Sequence, residues 1–152
     1  MTYVSAQARQ ELLDALAEAV DSIAEALASL TAAYELLDEG TADRLEAELF
    51  RPAQTAYGRA KRTHAGFAER FGLAGRAFSA APAQTASRSV HELLDDAVDA
   101  VSEADDDLGT LQDSMMPVEV GDAELRAGLS EVRRLIGDLP ARAHEIARIV
   151  GR

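Results

Sequence analysis

From Leu13 the apolar positions recur at Leu16, Val20, Ile23, Leu27, Leu30, Tyr34 and Leu37. The steps alternate between three and four residues, which puts all of these side chains on one stripe of an α-helix. Gly40 suits the position just past a helix end and Thr41 suits an N-cap, so the pattern predicts a break there and a tight antiparallel hairpin. A second stripe runs Leu45, Leu49, Ala53, Tyr57, Ala60, His64, Phe67, Phe71. Pro52 lies inside it and predicts a kink, because its ring removes one backbone hydrogen bond and crowds the carbonyl of Glu48. Residues 72–86 are rich in Gly, Ala, Ser and Thr, include Pro82 and show no period, so they read as a loop.

A third stripe runs Val90, Leu94, Ala97, Val101, Ala104, Leu108, Leu111, Met115, and Pro117 is expected to end it. Asp122 then fits an N-cap for a fourth stripe, Leu125, Leu129, Val132, Ile136, Leu139, Ala143, Ile146, Val150. That stripe is unbroken across Gly137 and Pro140, which predicts one kinked helix. The expected helices cover about 5–39, 42–71, 87–116 and 122–150, and no strand period competes with them. The pattern predicts an all-α chain, residues 1–152 forming one up-down-up-down four-helix bundle. An alternative is a long crossover between helices 2 and 3. Fully extended, the 72–86 loop spans roughly 50 Å, more than a helix of about 30 residues, and such a crossover would make helices 2 and 3 parallel.

Charge sorts by helix. Residues 1–40 carry −7, 41–89 carry +4, 90–125 carry −12 and 126–152 carry +3. In a square of alternating direction every neighbouring pair would then be opposite in sign, with like-charged helices on the diagonals. That reasoning disfavours helix 1 beside helix 3. The net charge of −12 repels phosphate backbones and anionic lipid, so neither nucleic acid nor a membrane surface is an expected partner. No apolar run approaches the ~20 residues of a membrane span. Met1-Thr2-Tyr3-Val4-Ser5 lacks the basic and apolar regions of a secretory signal, so a soluble, cytoplasmic protein is expected. The absence of cysteine removes disulfides, thiolate catalysis and Cys-ligated metal centres.

Three features carry candidate chemistry. His64, His91 and His144 fall on three different predicted helices, and the alternating topology brings them to one end, near Asp14 on the first helix. Imidazoles and a carboxylate converging inside a bundle would form a metal site. The Glu-x-x-His spacing of bundle metal centres is missing, since Lys61, Arg88 and Ala141 precede the histidines by three. The second feature is an acidic face on the third helix: Glu92, Asp96, Asp99, Glu103, Asp106 and Asp113, each offset by two from the apolar stripe. It reads as a solvated face or as a docking face for a basic partner. The third is the kink at Phe50-Arg51-Pro52, with Tyr57 one turn on, where the freed carbonyl of Glu48 offers an acceptor to water or a ligand.

There is no phosphate-binding Gly loop and no Gly-x-Ser-x-Gly nucleophile turn. The expected function is a non-enzymatic interaction or scaffold module using the acidic face. Its expected partner is a basic protein surface or another copy of itself, with no cofactor and no metal. The alternative is a small-ligand- or metal-binding bundle with the histidine cluster at one end.

Overall fold

The computed structural model describes residues 2–82 and 87–150. The described residues are all-helical, and no strand occurs among them. The first rod is α1 (Thr2–Glu35). The second is continuous through α2 (Glu39–Leu45), a π-helical turn (Glu46–Phe50) and α3 (Arg51–Arg70). The third is α4 (Val90–Asp113), followed by the single turn α5 (Met116–Glu119). The fourth is made of α6 (Ala123–Ile136) and α7 (Leu139–Ile149).

The expected stripes all become helix, but several ends move. The first break falls at Leu36 to Asp38 and not at Gly40–Thr41. Asp38 is the N-cap, its Oδ1 accepting from the Thr41 N–H at 2.8 Å, and Gly40 lies within α2. A carboxylate free to accept that bond defines a helix start more strongly than Thr41 does. Pro52 produces a π turn in place of a simple kink: the Arg51 N–H donates five residues back, to Glu46 O. Pro117 does not end the third helix. Met115 takes a left-handed backbone, φ 70°, and Pro117 sits in the first turn of α5, where its missing N–H costs nothing. Asp122 caps α6 as expected, accepting from the Leu125 N–H at 2.9 Å. The fourth stripe is broken at Gly137–Asp138, with Pro140 in the first turn of α7, so two helices replace the single kinked one.

The rods pack in an order that corrects the strict alternation. α1 packs most extensively against α4 and next against α3, α3 packs against α6, and α4 packs against α7 and α6. At one end the Arg9 guanidinium donates to Val120 O at 2.9 Å and lies 4.1 Å over the Phe71 ring, so the start of α1 meets the ends of the second and third rods. At the other end Ser89 and Leu93 lie against Ala32, Glu35 and Leu36. Thus α3 and α4 are parallel to each other and antiparallel to α1. The fourth rod runs opposite to both, with Asp122 at Arg70 and Arg142 at Glu48. This matches the long crossover given as the alternative: residues 71–82 follow the end of α3, residues 87–89 lead into α4 at the other end, and residues 83–86 of the expected loop lie outside the described residues.

The crossover is fastened on the way. Arg76 pairs with Asp21 of α1 at 3.0 Å, Phe78 packs on His64 of α3, and Arg88 pairs with Asp96 of α4 at 2.5 Å. With α3, α4 and the crossover around it, α1 buries more than its stripe, including Ala17, Ser22, Ala24 and Ser29. Leu12, Leu16, Val20 and Ile23 of α1 form the centre of the core with Leu49, Phe67, Leu108, Leu129 and Ile136.

The second and fourth rods approach closely at Gly128. A Cβ there would lie 2.2 Å from Oγ1 and 2.6 Å from Cγ2 of the buried Thr63. Alanine is worth about 1 kcal/mol over glycine in a helix interior, so an open site would gain from the change. Here Gly128→Ala should instead lower unfolding stability by about 1–3 kcal/mol. Adding Thr63→Ala, which removes the two nearest atoms, should recover most of that loss in chemical denaturation. A neutral Gly128→Ala would mean that these rods do not touch at this level.

The apolar stripes fix a second measurement. Ile23→Ala or Ile136→Ala, at fully buried positions, should each cost roughly 2–5 kcal/mol. Charge-neutral substitutions at the exposed Glu103 or Asp106 should stay within about ±0.5 kcal/mol. Equal costs at both kinds of position would show the wrong face in the core.

Candidate functional site

The expected placement of like charges on diagonals is overturned by the packing order. α1 and α4 lie side by side, and the segments that contain them, residues 1–40 and 90–125, together carry −19. The segments holding the other two rods carry +7 and are likewise neighbours through α3 and α6. The surface is therefore divided into an acidic side and a basic side.

The six acids singled out from the sequence have different fates on this surface. Glu92 Oε1 accepts from the Ser89 N–H at 2.9 Å and closes a capping box. That bond holds its carboxyl below the usual range. Asp96 is engaged by Arg88. Asp99 and Glu103 line a cleft between α1 and α4, with Glu25 and the buried Ser29 opposite and Ala81 and Pro82 of the crossover above. Asp106 and Asp113 are exposed and outside any ion pair among the described residues. Sequence reasoning missed Glu25, because the expected topology put α1 and α4 on a diagonal. It also missed Arg88, which was expected in the first turn of the third helix and not as a partner of the acidic face.

The histidines do not converge. His64 neighbours Thr63, which meets Gly128 of α6. His144 lies sixteen residues beyond Gly128, roughly 24 Å along the fourth rod. His91, at the start of α4, donates from Nε2 to Ala147 O at 2.8 Å and so belongs with the far end. The expected meeting point required parallel second and fourth rods, and these rods are antiparallel. Among the described residues no group of three or more His, Asp or Glu is placed to hold a metal ion.

His64 occupies a different environment from the other two. It is buried, its Nδ1 is enclosed without a hydrogen-bond partner, and Phe78 meets its ring edge-on with centroids 5.1 Å apart. Arg76 stacks 4.5 Å over the other side of this contact, on the Phe78 ring. Burial lowers the His64 pKa, the Arg76 charge lowers it further, and Asp14 opposes them. The carbonyl of Glu48, freed by Pro52, is not open to a ligand, since Arg142 Nη1 donates to it at 3.2 Å.

Among the described residues no helix is long and apolar enough to cross a membrane. Comparisons with models of protein families, with curated proteins and with solved structures return no match.

The His64 environment fixes a pH dependence. In the folded chain its pKa lies below the ordinary 6.5, so the unfolded chain binds the proton more readily. Stability from this group is complete above about pH 6.5 and is lost as the pH falls through the depressed folded value. Urea unfolding at about pH 7.5 and about pH 5 should show this loss, and His64→Phe should reduce it. An unchanged pH profile in His64→Phe would remove His64 from the acid response.

Proposed function

We propose that this chain is a four-helix bundle with a long crossover, acting as a non-enzymatic, cytoplasmic interaction or scaffold module that docks a basic protein surface against its acidic side. One observation carries the reading: the two acid-rich rods are neighbours, which concentrates negative charge on one side. The exposed like-charged pair Asp99/Glu103, at helical spacing, costs about 0.2–0.5 kcal/mol, and a docked cation relieves that repulsion. Such a field speeds encounter with an opposite surface and fades with salt, over a Debye length of about 8 Å at physiological ionic strength. Rim ion pairs supply orientation and rate more than affinity.

The chain carries basic segments of its own, since residues 41–89 and 126–152 together carry +7. A second copy is therefore a partner of fitting chemistry. Light scattering should show an apparent mass that rises at low salt and falls to the monomer at high salt. Asp99→Lys with Glu103→Lys should keep the far-UV helical spectrum and hold the protein monomeric at both. Association that ignores both salt and the reversal would leave this face as a solvating surface.

A further inference from the structure

Away from the charged clefts, α1 and the second rod enclose an opening of about 460 Å³, with the crossover as its third wall. That volume is in the range of small-molecule pockets, roughly 300–1,000 Å³. It has a local cause. Ala24, Ala28 and Ala32 recur every four residues on α1 and leave the floor without side-chain bulk. The π turn adds a residue to the second rod, so that consecutive Leu49 and Phe50 both turn inward. Leu49 is fully buried, and Phe50 becomes a pocket wall. Tyr57 extends the aromatic wall one step along α3, and its ring already accepts a cation, with Lys61 Nζ 4.3 Å from the centroid.

The polar groups are few. Among the described residues Glu35 is the only charged one lining the opening, and it forms no ion pair there. Gln54 also lines it and, with Tyr57, supplies donors and acceptors beside the aromatic wall. An apolar floor, two aromatic rings and one carboxylate select by charge as well as by shape. An anion would face Glu35 with no lining cation to balance it. A neutral hydrocarbon would leave the carboxylate unused. We propose that this pocket binds a small organic ammonium with an apolar body, its hydrocarbon against Phe50 and the alanine row and its cationic head against Glu35.

Two probes with the same tail and opposite heads test this, octyltrimethylammonium and octanesulfonate, titrated into the full chain by calorimetry. The ammonium should bind saturably at one site, and the sulfonate about tenfold more weakly or not at all. Glu35→Gln should weaken the ammonium by about tenfold or more. Glu69→Gln, which makes the same change in net charge at the far end of α3, should leave it unaltered. Ala28→Phe should fill the floor and abolish binding, and Ala32→Leu gives the same readout with a smaller side chain if the first variant loses its helical spectrum. No saturable ammonium binding would overturn the proposal. So would equal binding of both probes, or affinities indifferent to Glu35→Gln and to the filling variants.

Discussion

The direction of α4 decides what the surface of this protein is. The third rod starts at the end where α1 finishes, so α3 and α4 run parallel and α1 has α4 as its main neighbour. Charge argues against this arrangement, since it sets the two acid-rich rods together. Burial outweighs it. Each fully buried Leu or Ile is worth about 1.5–3 kcal/mol, and α1 places Leu12, Leu13, Leu16 and Ile23 at zero exposure. Exposed like-charged contacts cost a few tenths of a kcal/mol each. A handful of acids pointing to water cannot redirect a helix whose apolar residues are enclosed from three directions. Both partners also bury small side chains, Ala19, Ala26 and Ala33 in α1 and Ala97, Ala100 and Ala104 in α4, which lets two rods come close while their acids stay outside.

The arginines then act as fasteners at the joins. Arg70 reaches Asp122 and Glu124, tying the end of the second rod to the start of the fourth. Asp122 serves two tasks, since it also caps α6, and the Arg70 bond is the main cause of its lowered pKa. Arg133 reaches Asp105 across the third and fourth rods. Arg76 and Arg88 bring positive charge from the crossover onto the acidic side, at Asp21 and Asp96. Pairs with this much exposure contribute about 0–1 kcal/mol apiece. Their value is positional: Arg70, Arg76 and Arg133 join segments that are distant in sequence, and Arg88 ties the residues just before α4 to that helix.

What the sequence disclosed was local. Four apolar stripes, the Asp122 cap, a disturbance at Pro52 and the buried place of His64 on its stripe follow from periodicity and from the chemistry of proline and aspartate. Helix ends were less legible, because Gly40, Thr41 and Asp38 all carry boundary signals and only the side-chain hydrogen bond chooses among them. The course of the crossover was not legible at all. It depends on Phe78 finding His64 and on Arg76 and Arg88 finding Asp21 and Asp96, pairings without a period. An isolated aromatic and two isolated arginines in an Ala- and Ser-rich stretch were the only signals of it. Everything inferred from the order of the rods failed with that step, including the convergence of the histidines and the diagonal placement of charge.

The crossover is also where the separate features of the molecule meet. Arg76 and Phe78 cover His64 and Asp21, and within a few residues Ala81 forms part of both the apolar pocket and the acidic cleft. These two openings lie on opposite flanks of α1, yet one short stretch of chain borders each of them. The stretch that shapes all of these features is the one that the apolar pattern left without a period.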